Sequence, residues 1–254
     1  MPGIALNVRA QSASKYQEAH DNLHDEVARQ VSGQRLAWSE QLPLALSGVS
    51  FALFAPLAWW AHKHPVDPLD VRITHELQKN HSPLLRHAIT YVTYMSGSPG
   101  ILRGLAFPVA WVLWKRQQRL EAVMTVGVGL SSAVSKEVLQ RVINRPRPSP
   151  ELVRVYKKAH GKSFPSGHVI SSISFWGWLM VLGTLRIQPK QAWQRILLGL
   201  PALLLGAIGP TRVYLGDHWS SDVLGGYLFG CGWMGLFVQL YVSLRKRGVL
   251  ADKR

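Results

Sequence analysis

Long apolar stretches alternate with short polar segments from residue 42 onward. Residues 42–60 form a run of nineteen without a charged side chain, and residues 223–244 form a run of twenty-two. A helix of either length crosses a hydrocarbon core of about 30 Å, because each helical residue rises about 1.5 Å. So many runs of this kind in 254 residues are not expected of a soluble protein with buried helices. The pattern therefore predicts an all-α integral membrane bundle of six transmembrane helices, at residues 42–60, 98–114, 120–142, 167–185, 196–211 and 223–244.

The first forty residues differ from the rest of the chain. They are polar, and they lack the apolar core that a signal peptide would place near its start. An apolar stripe at helical spacing runs from Tyr16 to Val31, which is consistent with an interfacial or partner-docking helix and equally with a plain cytoplasmic tail. We predict a polar cytoplasmic segment over residues 1–40, a six-span domain over 41–245 and a basic tail over 246–254.

Basic residues in the short connections predict how the chain is oriented. Three connections carry an excess of lysine and arginine, at residues 115–119, 186–195 and 245–247. With six spans these connections share one face with the N-terminus, and the positive-inside rule makes that face cytoplasmic. The expected location is the cytoplasmic (inner) membrane, with both termini inside and residues 143–166 and 212–218 facing outward.

One outward connection departs from that rule. Residues 141–162 carry seven lysines and arginines against a single acid, Glu151. Such a loop can lie against anionic lipid head groups, or it can bind a phosphate. The motifs around it favour the second interpretation.

The first motif is Asn-Arg-Pro-Arg-Pro, residues 144–148. The two prolines end a helix and stiffen an extended turn. Arg145 and Arg147 are thereby held with little freedom, as a phosphate clamp requires. A helix stop with two ordinary interfacial arginines is the alternative.

The second motif is Phe-Pro-Ser-Gly-His, residues 164–168, at the predicted start of a span. Ser166 is a candidate helix N-cap, and Gly167 allows the backbone to approach a ligand closely. The free amides at a helix start favour an anion, and His168 could then donate a proton. An interfacial histidine without a role is the alternative.

The third motif is Thr-Arg-Val-Tyr-Leu-Gly-Asp-His-Trp-Ser-Ser-Asp, residues 211–222. His218 and Asp222 are four apart, which on a helix places them one turn apart on one face. A carboxylate there could orient the imidazole as a nucleophile, and Arg212 could supply positive charge to an anionic electrophile. Alternation of the six spans brings all three motifs to the outer face.

Together these motifs resemble those of the type 2 phosphatidic acid phosphatase superfamily of integral membrane lipid phosphatases. The family pattern is Lys-x6-Arg-Pro, then Pro-Ser-Gly-His, then Ser-Arg-x5-His-x3-Asp. Threonine replaces the serine at position 211, and Gln140 stands where the lysine is expected. Lys136 lies one helical turn before Gln140 and could reach the phosphate by snorkelling, or Arg141 or Arg145 could supply the missing charge.

The resemblance implies a mechanism. His218 would attack phosphorus while Asp222 orients it, and His168 would protonate the leaving oxygen and then activate water. Arg147, Arg212 and Arg145, with the amides near Ser166 and Gly167, would hold the phosphate oxygens, as would Lys136 if it replaces the lysine. No metal or other cofactor is expected.

The substrate is expected to be a lipid phosphate at the membrane boundary, with membrane lipids as surroundings and no nucleic-acid partner. The basic loop favours undecaprenyl pyrophosphate, and phosphatidic acid, phosphatidylglycerol phosphate and lipid A phosphates are alternatives. A lipid phosphotransferase would use the same motif residues and would differ only in transferring the phosphate to a lipid or sugar instead of water. A vanadium haloperoxidase would share the histidines and arginines, but the spans weigh against it. A non-catalytic lipid-binding or transport protein would account for Gln140 but not for the spacing of the histidines and Asp222.

Overall fold

The computed structural model describes residues 41–80, 82–156, 159–186 and 192–250, and within these ranges all regular structure is helical. The predicted all-α class is therefore confirmed. The predicted polar segment 1–40 lies outside the described residues. A boundary between two units of the chain falls between Leu42 and Pro43, and the described residues of the second unit are treated below. The helices are α1 Gln41–Lys63, α2 Pro68–Leu77, α3 Pro83–Gly97, α4 Pro99–Lys115, α5 Arg119–Ile143, α6 Gly167–Ser172, α7 Trp178–Arg186, α8 Ala192–Tyr214 and α9 Ser220–Lys246.

Three of the described helices, α1, α5 and α9, are long and apolar enough to cross a membrane. A π-helical turn at Ile173–Gly177 joins α6 to α7, so these two form one continuous helical segment. This segment, α4 and α8 coincide with the other three predicted spans, whose crossing of the membrane stays a prediction. The domain boundaries predicted at residues 41 and 245 also stay predictions.

Two helices, α2 and α3, were not predicted from the pattern. Both begin with a proline, Pro68 and Pro83, and a proline at the first helical position has no amide that would be left unpaired. The carboxylate of Asp67 accepts a bond of 2.8 Å from the amide of Leu69 and caps α2. Their mixed polar composition concealed them from a search for apolar runs.

The helix ends that carry the motifs have clear physical causes. Helix α5 ends at Asn144, which adopts a left-handed conformation with φ of 55°, and its amide donates to the carbonyl of Gln140 over 3.1 Å. Pro146 and Pro148 then prevent the helix from resuming. After α8, Gly216 has φ of +70°, and a Cβ there would lie 2.2 Å from the carbonyl oxygen of Arg154. Only glycine fits this turn, which leads directly to His218.

The core forms where α9 packs against α5, α6 and α8. Small residues on α9 allow this close approach, since a Cβ on Gly225 would lie 2.4 Å from the ring of Phe164. Away from the motifs, the Trp178 indole donates to the Thr125 hydroxyl over 2.9 Å, and the Tyr241 hydroxyl lies 2.7 Å from Glu121. These contacts fix the helices whose other ends carry the three motifs.

Candidate active site

A cavity of about 910 Å³ lies between α5, the start of α6 and the two loops that carry Arg147 and His218. Its polar end is lined by Lys136, Gln140, Arg147, Gly167, His168 and His218. Leu130 and Val134, which precede Lys136 on α5, also line the cavity. Both of these side chains are also largely exposed on the outside of the bundle. The cavity therefore connects a cluster of basic and imidazole groups with a surface suited to hydrocarbon.

His218 is completely buried and lies beside Arg147. The Nη1 atom of Arg147 is 3.3 Å from Nε2 of His218 and donates to the carbonyl of Asp217 over 2.7 Å. A guanidinium is always a donor, so Nε2 carries a lone pair and the ring proton lies on Nδ1. That lone pair is the nucleophilic atom of a histidine.

Asp222 lies behind His218, but not in the way the spacing predicted. His218 belongs to the turn before α9, and Asp222 is the third residue of that helix, so the two do not share a helical face. The distance from Nδ1 of His218 to Oδ2 of Asp222 is 3.6 Å, longer than a hydrogen bond. The same oxygen accepts from the amide of Trp219 at 2.8 Å and from the hydroxyl of Ser163. Helix capping, rather than helical periodicity, brings the carboxylate to the imidazole.

The surroundings of His218 keep its imidazole neutral. Burial lowers the pKa of His218 well below its ordinary value, and the positive charges of Arg147 and Arg212 lower it further. A neutral ring has the free lone pair that nucleophilic attack requires.

His168 faces the same cavity from the first turn of α6. The centroids of the His168 and His218 rings are 6.2 Å apart, with an angle of 70° between the ring planes. Two imidazoles at this separation can contact the same bound chemical group from opposite sides. The structure thus brings together the two histidines that the motifs singled out.

Gly167 and Ser166 occupy the helix start as predicted, but they differ in what they offer. Gly167 lines the cavity, and a Cβ on it would lie 2.9 Å from Cδ of Lys136. The amide of Ser166 donates to the carbonyl of Asp222 over 3.0 Å and is not directed at a ligand. Within the described residues the Ser166 hydroxyl is buried without a hydrogen-bond partner, so it makes no cap bond. The amides of the first turn of α6 have no carbonyl one turn earlier in the helix to bond.

Arg212 lies behind the cavity rather than in its lining. Its guanidinium is almost fully buried and forms an ion pair with Asp217. Its positive charge still acts on His218, because the two groups are close enough for the charge to lower that pKa. Asp217, which the motif search did not single out, partly neutralises this arginine.

Arg145 is placed differently from the prediction that it binds the substrate phosphate. Its side chain is completely buried and does not line the cavity. Nη1 donates to Asp222 over 2.7 Å and Nη2 to Asp70 over 2.8 Å, while Nε donates to the carbonyl of Pro65 over 3.1 Å. A guanidinium whose nitrogens are all bonded within the protein has no donor left for a substrate. Its proximity to Arg147 in sequence gave no sign of this inward orientation.

Gln140 and Lys136 divide the place of the expected lysine between them. The Gln140 side-chain amide donates to the carbonyl of Pro165 over 3.0 Å and braces the turn before Gly167. Lys136 lies one turn earlier on α5 and lines the cavity, with its Nζ 3.0 Å from Glu137 Oε2. A cationic side chain is therefore present beside the histidines, although it comes from another position than the motif predicts.

The fold and site define a class, namely a helical membrane-type protein in which histidine and arginine side chains converge on one cavity. The model of the PAP2 superfamily matches residues 121–246, which contain all three motifs and form a PAP2 superfamily domain.

Two known proteins are similar to this chain. Phosphatidylglycerophosphatase B of Bacillus subtilis (strain 168) is 27% identical over 183 residues, which are 71% of this chain and 87% of that protein. The crystal structure of a transmembrane PAP2 type phosphatidylglycerolphosphate phosphatase from Bacillus subtilis matches with a TM-score of 0.65 at 22% identity. That match covers 81% of this chain and 96% of the other, so the two share a fold.

Proposed function

We propose that this chain is a membrane lipid phosphatase that removes a phosphate from a lipid phosphate or pyrophosphate through a phosphohistidine on His218. The observation that carries the proposal is the cavity itself. It brings His218, His168 and Arg147 together, and its lining also includes Leu130 and Val134, two exposed apolar residues of α5. A phosphate joined to a hydrocarbon chain suits both kinds of group.

The proposed reaction has two displacements at phosphorus. In the first, the Nε2 lone pair of His218 forms a bond to phosphorus while the bond to the lipid oxygen breaks, and His168 gives that oxygen a proton. In the second, His168 removes a proton from water, whose oxygen attacks phosphorus as the phosphorus–nitrogen bond breaks. Arg147 stabilises the charge on the phosphate oxygens in both, and Arg212 adds positive charge from behind.

The proposed substrate is a lipid whose phosphate lies at the outer boundary of the cytoplasmic membrane, with both termini of the chain inside. Undecaprenyl pyrophosphate is the first candidate, because Lys136, Arg141 and Lys162 line the same cavity as Arg147 and suit two phosphates. Phosphatidylglycerol phosphate is the second candidate, because a relative is a phosphatidylglycerophosphatase.

The proposal is tested by phosphate release from purified protein in detergent. The panel contains undecaprenyl pyrophosphate, phosphatidylglycerol phosphate, phosphatidic acid and a lipid A phosphate. Release from at least one lipid, with the dephosphorylated lipid as the second product, is the expected result. Mass analysis that finds the phosphate on another lipid or sugar would identify a phosphotransferase, and binding without turnover of any lipid would reject an enzyme.

Replacing Lys136 with methionine is expected to lower kcat/KM about 10- to 100-fold, the loss typical of a hydrogen bond to a charged group. Methionine keeps the unbranched stem against Gly167 and removes only the charge. Replacing Gln140 with alanine should cost less, because Gln140 braces the Pro165 carbonyl instead of facing the substrate. The measurement is steady-state phosphate release on the best lipid of the panel.

Two further variants calibrate this result. Lys115→Met makes the same chemical change at an exposed position on the far end of α4 and should leave turnover unchanged. Arg141→Met tests the other cation of α5 in the cavity lining; its side chain is 77% exposed, so its removal should lower kcat/KM less than Lys136→Met does. If neither Lys136 nor Gln140 affects the rate, the arginines alone hold the phosphate.

Chelation of metals should leave the activity unchanged. The described residues bring together no group of three or more histidine, cysteine, aspartate or glutamate side chains able to hold a metal ion. Action without a metal is also the rule for PAP2 phosphatases. The test compares phosphate release in EDTA with release in added Mg²⁺, and a loss in EDTA that Mg²⁺ restores would contradict it.

A further inference from the structure

Asp70 of α2 accepts four hydrogen bonds from residues of the first and third motifs. Its Oδ1 accepts from the hydroxyl of Ser220 at 2.5 Å and from the amide of Ser221 at 2.9 Å. Its Oδ2 accepts from Arg145 at 2.8 Å and from the hydroxyl of Ser221 at 2.5 Å. The side chain is almost fully buried, with 2% of the residue exposed. A buried carboxylate with this many donors is held in one orientation.

Arg145 connects Asp70 to Asp222. Its guanidinium donates to Asp70 through Nη2 and to Asp222 through Nη1, so it lies between the two carboxylates. The Ser221 hydroxyl accepts from Arg145 at 2.7 Å and donates to Asp70, which closes a ring of hydrogen bonds. The Trp60 ring lies 5.7 Å from the guanidinium carbon and covers one face of it.

From these contacts we infer that Asp70 is a positioning residue, which acts through Arg145 to hold Asp222 in the orientation that serves His218. The inference rests on the proposed function, in which Asp222 stabilises the positive charge that His218 acquires on attack. Asp70 is not among the residues that line the cavity, and its side chain is linked to that of Asp222 through the guanidinium of Arg145.

The geometry shows what Asp70 contributes. Arg145 holds only Oδ1 of Asp222, and this leaves Oδ2 on the side of His218, 3.6 Å from Nδ1. An arginine facing a single carboxylate prefers to bind both of its oxygens. Without the charge of Asp70, Arg145 would compete with the Trp219 amide and the Ser163 hydroxyl for Oδ2 and draw this oxygen away from the imidazole.

Charge balance leads to the same conclusion. One guanidinium between two carboxylates leaves a net negative charge in the cluster, and this charge favours a positive imidazole at His218. Burial alone would raise the pKa of Asp70, but hydrogen bonds from Ser220, Ser221 and Arg145 outweigh it, so the pKa lies below its ordinary value. Asp70 is therefore ionised at neutral pH and carries its share of that charge.

The test replaces Asp70 with asparagine, which keeps the shape and removes the charge. We expect kcat to fall about 10- to 100-fold, as when a supporting side chain behind an active group is lost, while KM stays within about threefold. The same change in an Asp222→Asn background should cause no further loss, because Asp70 then has no ionised partner to orient. This double-mutant cycle separates positioning from a general structural role, which would lower activity equally in both backgrounds.

Asp67→Asn is the matched control, because it removes the same charge three residues earlier and keeps an oxygen to cap α2. Equal kcat for the Asp70 and Asp67 variants, or equal losses from Asp70→Asn in the two backgrounds, would overturn the inference. If Asp70→Asn does not fold, Ser221→Ala removes one link of the ring, and it should lower kcat at unchanged KM; an unchanged kcat would overturn the inference. Activity that survives in His218→Ala would instead reject the proposed function itself.

Discussion

Replacing His218 with alanine should abolish phosphate release, a loss of at least about 10⁴-fold, as is found when a nucleophile or its base is removed from a hydrolase. The reason is geometric, since Nε2 of His218 faces Arg147 at 3.3 Å and carries the lone pair that would attack phosphorus. Asparagine at the same position should be equally inactive, because its amide nitrogen is not a nucleophile. Both variants are measured in detergent on the lipid that the unchanged protein hydrolyses best.

The control for His218 is His87→Ala. His87 is an exposed histidine of α3, and its Nδ1 lies 2.7 Å from the Pro83 carbonyl oxygen one turn earlier. The His87→Ala variant should retain full turnover. Membrane extraction and thermal unfolding should match among all variants, so that lost activity is not lost folding. Substantial turnover by purified His218→Ala would refute the covalent mechanism.

Replacing His168 with alanine should lower turnover of a lipid substrate about 10²- to 10⁴-fold, the range for a general acid and base. The loss should be smaller for p-nitrophenyl phosphate in the first step, because its leaving group departs without a proton. The second step still lacks its base, so phosphohistidine should accumulate. Phosphohistidine is hydrolysed in acid, so an acid quench is unsuitable. The protein that carries the labelled phosphate is therefore trapped under alkaline conditions.

A burst of p-nitrophenol followed by slow turnover is the kinetic sign of the same defect. Addition of imidazole offers a matched rescue, since it can supply the missing base in the second step. Equal losses for the lipid and for p-nitrophenyl phosphate, with no labelled protein, would show that His168 does not act as acid and base.

The sequence predicted the helical class and the convergence of His168, His218, Gly167 and Arg147 well. The class follows from the apolar runs, since each run has the length of a long helix. The convergence follows from alternation along the bundle, which sends every second connection to one side. Both rest on repeating patterns that a single chain displays.

The internal partners of the charged residues could not be predicted in the same way. Arg145 and Arg147 are two residues apart in one extended turn and carry the same side chain, yet one is buried against two carboxylates and the other faces the cavity. Which of them turns inward depends on Asp70, which is distant in sequence and lies on a short helix without an apolar run. Asp217 and Ser163 were missed for the same reason, because tertiary contacts alone identify them.

The structure also explains the role of Gln140. In the motif, Gln140 occupies the position at which the family pattern has lysine. In three dimensions it supports the Pro165 carbonyl, while Lys136 presents a cation one turn away. One turn of helix is about 5.4 Å, so the charge lies deeper along α5 than the motif predicts.

The ring around Arg145 has a consequence for biogenesis. Its members come from distant parts of the chain, since Asp70 and Ser221 are 151 positions apart. During synthesis Arg145 emerges long before Ser221 and Asp222, and the two carboxylates can enclose it only when α9 has been inserted. Active enzyme therefore appears only at the end of assembly. A nascent chain that stops before α9 lacks Asp222 and is therefore inactive toward membrane lipids.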